Sequence, residues 1–348
     1  MAKRIAVVTS DVPFVDGGHK VIARCTVQAL RDAGHEADLI LTPQNRFGRQ
    51  IRAYLANRFT DVEMDGLGRN IDQVISFRFP SFAVSHPRHV CWLNHRLREY
   101  YDLWPLLKAE LGIKGKIKEG FRRRLFHLID GHLLKRRVTK LYAQSKTIQA
   151  RLNTWGRIPS EVLYPPAPQR NYRTEAYDNF VFAVSRLHRL KRLDLLVESF
   201  RFVRNPELKA YVIGEGPELA PLRGRVRDLH LEDRIFFLGK TDEEEIVSRY
   251  ARCRAVFFCP LQEDYGLVTP EAFSSGKAVI TAADSGGPPE LVKDGFNGFV
   301  VDPDAGAIAL KLDELAGDKA MAEKMGQAGL ASISGINWAD TVKKLVLP

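Results

Sequence analysis

The sequence predicts an α/β protein of two doubly wound domains that face each other across a cleft. Short apolar runs typical of buried strands alternate with helical stretches along all 348 residues, a length that suits about two domains. The alternation is broken where three prolines fall in the four positions 165–168, which favours a stiff linker. We therefore expect a first domain at 1–165, a second at 166–333, and a helix at 334–348 that could pack back toward the first.

The expected strands are short apolar runs bounded by turn-forming residues. They are 5–9, 37–41, 73–77, 89–94 and 141–144 in the first domain, and 180–185, 208–213, 234–238, 255–259, 278–281 and 298–301 in the second. A helix is expected at 20–33, ended by Gly34, and another at 337–347 with Trp338 as its buried anchor. Strands that alternate with helices in this way form parallel sheets with helices on both faces.

Composition indicates a globular protein, since 45% of the residues are hydrophobic and 27% are charged. No apolar run reaches the roughly 20 residues of a membrane span, and the first nine residues favour a strand over a secretory signal. The four cysteines are scattered, so we expect a reduced, cytoplasmic compartment. A net charge of +10 suggests a phosphorylated small molecule or an anionic membrane surface, because no nucleic-acid-binding motif accompanies it.

Two acids eight positions apart, Glu263 and Glu271, flank the most informative run of the chain. The first follows an apolar strand, and the second lies in the first turns of a helix that stops at Gly276. Ligands of α/β sheets bind where strands end and helices begin. Two acids beside free backbone N–H groups there suit a sugar nucleotide, with its many hydroxyls and its phosphates. The alternative is an acidic loop and a solvated helix acid.

Two cations, Arg186 and Lys191, lie between a strand and a helix at 193–203, where charge and exposed amides favour anions. A solvated basic loop is the alternative. His95 follows the strand at 89–94 and is a candidate at that strand's carboxyl end, although a lone histidine is more often structural.

Glycines occur at two further strand-to-helix junctions. Gly17 and Gly18 follow Asp16 after the first strand, and Gly286 and Gly287 follow the strand at 278–281. Glycine lets a ligand approach the backbone closely, although an ordinary turn is the alternative. Neither half contains the Gly-x-Gly-x-x-Gly fingerprint of dinucleotide enzymes. No cluster at metal-ligand spacing is apparent, so no metal site is expected.

The segment 114–140 is strongly basic and has two interpretations. Its apolar residues recur at helical spacing: Ile117, Phe121, Leu125 and Leu128. A basic amphipathic helix could rest on an anionic membrane. The favoured interpretation is a domain helix whose cationic face is solvated and whose apolar stripe lies in the core.

Taken together, these motifs resemble the retaining glycosyltransferases of family 4, the glycosyl transferases group 1, which have the GT-B fold with two Rossmann-like domains. The resemblance is strongest over 179–301. The family's Glu-x7-Glu element matches Glu263 and Glu271, its Arg…Lys pair matches Arg186 and Lys191, and its Gly-Gly-x-x-Glu loop matches 286–290. The first half is less diagnostic, but 16–18 and 92–104 are also similar to members of the family.

The resemblance implies a role for each matched residue. Glu271 would bind the ribose, Glu263 the donor sugar, and Arg186 and Lys191 the leaving diphosphate. His95 would contact the donor sugar near the reacting carbon. The backbone contacts to sugar and phosphate would come from the loops: Tyr265, Gly266, Leu267, Gly286, Gly287, Gly17 and Gly18. Transfer would retain the anomeric configuration and need neither a divalent metal nor a cofactor, with a UDP-sugar or GDP-sugar as donor.

The first hypothesis is sugar transfer to a glycan or lipid-linked glycan in surface polysaccharide or glycoconjugate synthesis, with the first domain on the acceptor side. The protein would be cytoplasmic, and a peripheral position at the inner membrane surface stays open. A second hypothesis is a sugar-nucleotide epimerase with the same fold. A third is a basic surface-binding protein without activity, against which the intact Arg186, Lys191, Glu263 and Glu271 argue.

Overall fold

A computed structural model describes residues 2–12 and 17–348, and they form two compact units. The first comprises 1–166 together with 336–348, and the second comprises 167–335. The division after residue 166 lies within the proline-rich stretch 165–168. Each unit has its own parallel six-stranded sheet and its own hydrophobic core.

The first unit alternates strands and helices along the chain. Its elements up to the linker are β1 (Arg4–Asp11), α1 (Gly18–Asp32), β2 (Glu36–Pro43), α2 (Gln50–Arg58), β3 (Gln73–Ser76), β4 (His89–Leu93), α3 (Trp104–Glu110), α4 (Ile113–Arg136), β5 (Lys140–Ala143), α5 (Lys146–Thr154) and β6 (Glu161–Val162). All five predicted strands are confirmed to within two residues at each end. β6 was not predicted, because two residues are too few to show a periodicity.

The second unit follows the same plan. Its elements are β7 (Phe180–Val184), α6 (Leu193–Ser199), β8 (Lys209–Ile213), α7 (Leu219–Asp228), β9 (Ile235–Gly239), α8 (Glu243–Arg252), β10 (Ala255–Phe257), α9 (Val268–Ser274), β11 (Ala278–Ala282), β12 (Gly298–Val301), α10 (Ala305–Gly317) and α11 (Lys319–Ser332). All six predicted strands are confirmed, and the predicted stop at Gly276 has the positive φ (+63°) that favours glycine after a helix.

Both sheets reverse their winding once. The strand orders are β2-β1-β3-β4-β5-β6 and β12-β11-β10-β7-β8-β9. The reversal therefore falls between β1 and β3 in the first unit and between β7 and β10 in the second. Such a switch point leaves a crevice at the carboxyl edge of the sheet, because the two flanking chains depart in opposite directions.

A last helix, α12 (Trp338–Leu345), packs on the sheet of the first unit although it follows the second in sequence. The Trp338 ring is half-buried and meets the buried Trp92 ring edge-on, with 6.3 Å between centroids. Tyr142 Oη donates to the Lys344 carbonyl at 3.0 Å, and Gln73 Nε2 donates to that of Leu345 at 2.7 Å. These bonds cap the end of α12 with side chains from β3 and β5.

Helix α4 contradicts the favoured interpretation of the basic segment. Ile117 and Phe121 are each 72% exposed and Leu128 is 73% exposed, so three of the four stripe residues point away from the core, while Leu125 is half-buried. The buried face of α4 instead carries Phe126 and Asp130. The stripe was misassigned because α4 has apolar residues on two opposite faces, and because its buried face also includes acids that sequence patterning assigns to solvent.

Nowhere in the two described ranges does a helix combine the length and the apolar character needed to span a bilayer.

Candidate active site

Lys191 and Glu263 meet at the switch point of the second sheet. Lys191 follows β7 and Glu263 follows β10, the two strands between which the winding reverses. Lys191 Nζ donates to Glu263 Oε2 at 2.6 Å, with about a fifth of each side chain exposed (18% and 21%). The predicted cation and the predicted first acid are therefore direct partners at the edge where α/β sheets bind ligands.

The loop that carries Lys191 is held by its neighbour Arg192, which sequence reasoning missed. Residues Arg189–Lys191 form a single 3-10 turn, and Arg192 follows in the left-handed conformation with φ +49°. The Arg192 guanidinium donates to both carboxylate oxygens of Asp284, at 2.8 and 2.6 Å, and to the Cys259 carbonyl at 2.8 Å. This two-pronged contact ties the loop after β7 to the ends of β10 and β11, and so fixes the position of Lys191.

The glycine loop after β11 supports Glu263 from the other side. Glu263 N donates to the Ser285 carbonyl at 2.7 Å, and Gly287 N donates to the Glu263 carbonyl at 3.0 Å. Gly286 has φ +81°, and a Cβ there would lie 2.4 Å from the Glu263 carbonyl oxygen. The expectation that this loop offers its N–H groups to a sugar is corrected for Gly287, whose N–H bonds the protein instead.

The turn before α9 leaves backbone donors available. Within the described residues, no acceptor takes the N–H of Gly266 or Leu267, which immediately precede the first residue of α9. Gly266 has φ +85°, and a Cβ there would lie 2.5 Å from the Phe258 ring. The Tyr265 side chain is 2% exposed and belongs to the core. The predicted backbone contacts to an anion are therefore sterically and chemically feasible at Gly266 and Leu267.

Glu271 is more deeply buried than its predicted role of binding the ribose suggests. It is 7% exposed, its Oε1 accepts from Arg170 Nη1 at 3.0 Å, and its Oε2 accepts from Tyr250 Oη at 2.9 Å. Burial raises the pKa of the Glu271 carboxyl, and the Arg170 charge opposes that rise. A carboxylate offers about four lone-pair positions, so ribose binding by Glu271 stays a prediction that these two contacts leave open.

The partners of Glu271 carried no signal in the sequence. Arg170 lies in the polar stretch after the prolines and also donates to Glu243 at 3.1 Å, while Tyr250 comes from α8. Their position depends on tertiary packing, and no local motif marks it.

Arg186 differs from Lys191 in its surroundings. It lies two residues past β7, its side chain is exposed, and no acid among residues 2–12 and 17–348 pairs with it. The predicted cation pair therefore consists of one paired lysine and one solvated arginine on the same loop.

In the first unit the predicted residues lie at the carboxyl edge of the sheet. Gly17 precedes α1 and Gly18 is its first residue, while Asp16 lies outside the described residues. His95 follows β4, and its Nδ1 is 2.6 Å from the Arg96 carbonyl.

Three residues near His95 were not predicted. Asp102 accepts from Arg98 at 2.6 Å and lies 3.4 Å from Arg151. All three line a small pocket together with His95.

Comparison with known proteins identifies the second unit. Residues 169–331 match the family model described as glycosyl transferases group 1. The N-acetyl-alpha-D-glucosaminyl L-malate synthase of Bacillus anthracis is 27% identical over 167 residues, which are 47% of this chain and 43% of that protein. The GDP-mannose-dependent alpha-(1-6)-phosphatidylinositol monomannoside mannosyltransferase of Mycolicibacterium smegmatis is 33% identical over 160 residues, 43% of this chain and 41% of that protein.

The matched part of the chain thus spans less than half the length of these curated relatives. The whole chain is similar in fold to the crystal structure of HepE from Anabaena in complex with UDP and glucose, with a TM-score of 0.70, 17% identity and 97% of each chain covered. The chain therefore has the GT-B fold, and its second unit belongs to the glycosyl transferases group 1.

Proposed function

We propose that this protein is a retaining, metal-independent glycosyltransferase of family 4 that moves a sugar from a UDP-sugar or GDP-sugar to a glycan or lipid-linked glycan. The observation that carries the proposal is the Lys191–Glu263 pair at the switch point of a group 1 domain. A relative named as GDP-mannose-dependent supports a nucleotide-sugar donor. A relative that acts on a phosphatidylinositol mannoside supports the lipid-linked acceptor class.

The diphosphate would bind where positive charge and free N–H groups occur together. Lys191 and Arg186 supply the charge, and Gly266 and Leu267 supply backbone donors. As the bond between the anomeric carbon and the phosphate oxygen breaks, its electron pair passes to the diphosphate. Fixed cations and amides stabilise that developing charge, which is commonly the largest catalytic contribution.

The acids would act as ligands for hydroxyls. Glu263 has a partly exposed carboxylate and would accept a hydrogen bond from the donor sugar, and Glu271 would accept one from the ribose. Neither serves as the acid or base of a hydrolase pair. In same-face attack the acceptor hydroxyl forms the new bond to the anomeric carbon, and its proton passes to the leaving phosphate oxygen.

Titration with UDP, GDP and ADP, followed by a screen of sugar-nucleotide hydrolysis, tests the proposal. We expect one nucleoside diphosphate to bind at or below millimolar concentration, and the matching donor to hydrolyse slowly to a sugar with unchanged anomeric configuration by NMR. Activity should persist with EDTA. Failure of all three nucleotides to bind would refute the proposal, and conversion of the donor into another nucleotide sugar would favour the epimerase.

A further inference from the structure

The outer face of α4 is apolar to an extent unusual for a surface helix. Ile113 is 78% exposed, Ile117 and Phe121 are 72% exposed, and Leu128 is 73% exposed. On an α-helix, positions 113, 117, 121 and 128 fall on one stripe. Contiguous apolar surface of this kind marks an interaction site more often than scattered single residues do.

The outward orientation of this stripe is enforced by the opposite face of α4. The Phe126 ring stacks on Tyr54 of α2 with 5.5 Å between centroids. Tyr101 Oη donates to the buried Asp130 at 2.6 Å, and Tyr100 Oη donates to Glu119 at 2.6 Å. Rotating α4 to bury its stripe would break these bonds and bring two acids to the surface, so the stripe stays outward.

All the exposed charged side chains of α4 are positive. The only acids between 113 and 136 are Glu119 and Asp130, both buried and hydrogen-bonded. The exposed cations lie beside the apolar stripe: Lys114, Lys116, Lys118, Arg124, Lys135 and Arg136. An apolar stripe flanked only by cations is the pattern of a helix that lies in the plane of an anionic membrane surface.

Helix α2 extends the same chemistry, since it packs beside α4 through Tyr54. Ile51 is 45% exposed and Leu55 is 51% exposed, and Arg52 and Arg58 are exposed on the same short helix.

We propose that the α4 face, defined as Ile113, Ile117, Phe121 and Leu128 with the cations beside them, docks on an anionic lipid bilayer. Charge complementarity favours lipid over a second copy of the chain, because two such faces would bring like charges together. Nucleic acid would satisfy the cations but leave the apolar stripe in water. The docking does not depend on sugar transfer, although it would hold the first unit at the surface in which a lipid-linked acceptor lies.

Vesicle flotation of the full chain tests this proposal. Phosphatidylcholine vesicles are compared with and without phosphatidylglycerol. We expect binding to the anionic vesicles to be at least about 100-fold tighter, since each Lys or Arg near the surface strengthens binding roughly fivefold. The triple variant Ile117→Ser, Phe121→Ser, Leu128→Ser should weaken that binding by at least about 100-fold. The variant Lys114→Gln, Lys118→Gln, Arg124→Gln should reduce the preference for anionic lipid by about 100-fold, because it removes three of the six exposed cations.

The matched control changes exposed apolar residues of the second unit. Phe202→Ser and Leu310→Ser remove side chains that are 52% and 60% exposed, and should leave vesicle binding unchanged. Nucleoside diphosphate binding and the melting temperature should be unaffected in every variant, which separates docking from folding and from transfer. The proposal would be overturned if the wild-type protein did not bind anionic vesicles, or if the triple variant bound them as tightly as the wild type. So would a dimer in light scattering that the triple variant converts to monomer.

Discussion

Glu263 neutralises the cation that an incoming diphosphate needs, so removing its charge should have opposite effects on nucleotide binding and on turnover. Lys191 Nζ lies 2.6 Å from Glu263 Oε2. A nucleoside diphosphate must compete with that carboxylate for Lys191. Glu263→Gln removes the competitor but also weakens the contact that Glu263 would make with the donor sugar. We therefore expect UDP or GDP to bind the variant more tightly, and the sugar nucleotide to react more slowly.

The size of the effect follows from the exposure of the pair. With about a fifth of each side chain exposed (18% and 21%), the ion pair is near the upper end of surface pairs. Such pairs contribute about 1 kcal/mol, and releasing that competition corresponds to roughly fivefold tighter nucleotide binding. Lys191→Met should act in the other direction and weaken binding by roughly 10- to 100-fold, because a hydrogen bond to a charged group is lost.

Isothermal titration calorimetry with UDP and GDP at constant salt measures these changes, and hydrolysis of the matching donor measures turnover. Glu232→Gln is the control, because it makes the same charge change at an exposed position before β9, at the amino edge of the same sheet. Screening should keep its effect below about twofold. Weaker nucleotide binding by Glu263→Gln than by wild type would refute the competition between carboxylate and diphosphate.

Three further substitutions test the framework around the site and the core. Gly286→Ala should lower the free energy of unfolding in urea by about 1–3 kcal/mol, because φ is +81° and the new Cβ would lie 2.4 Å from the Glu263 carbonyl; a wild-type midpoint would contradict this. Tyr250→Phe should lower the free energy of unfolding by about 1–2 kcal/mol, because it removes the hydroxyl that lies 2.9 Å from Glu271. An unchanged free energy of unfolding in urea would mean that Arg170 alone satisfies this acid. Burial lowers the pKa of His89 from 6.5 to about 3, so between those values the unfolded chain binds more protons than the fold and stability rises with pH. His89→Asn should flatten that rise by up to about 1.4 kcal/mol per pH unit in urea titrations, and an unchanged slope would argue against a neutral buried His89.

The sheets could be predicted because their strands are buried on both faces. Such strands appear in sequence as short apolar runs, and β1 is typical, with six consecutive buried residues between two partly exposed ends. The contact between Lys191 and Glu263 could also be predicted. These residues follow two parallel strands that are neighbours at the point where the winding of the sheet reverses. Local pattern therefore determined the strands and the loops that carry the predicted side chains.

Other contacts of the site depend on partners far away in sequence. Arg192 is one of several cations in the segment 186–192. No local sequence feature indicates that this arginine will pair with Asp284. Glu271 lies about a hundred residues from Arg170, and its burial follows from packing against α8. The face that α4 presents was undecidable from periodicity, because its inward acids are satisfied by the hydroxyls of Tyr100 and Tyr101.

The position of α12 has a consequence for biosynthesis. Hydrogen bonds from Gln73 and Tyr142 join α12 to the first unit, yet the whole of 167–335 separates those strands from that helix in sequence. The second unit is one continuous stretch, and a ribosome delivers all of it before α12 appears. During translation, Trp92 therefore lacks its contact with the Trp338 ring until the second unit has been made. The domain that is synthesised first is completed last.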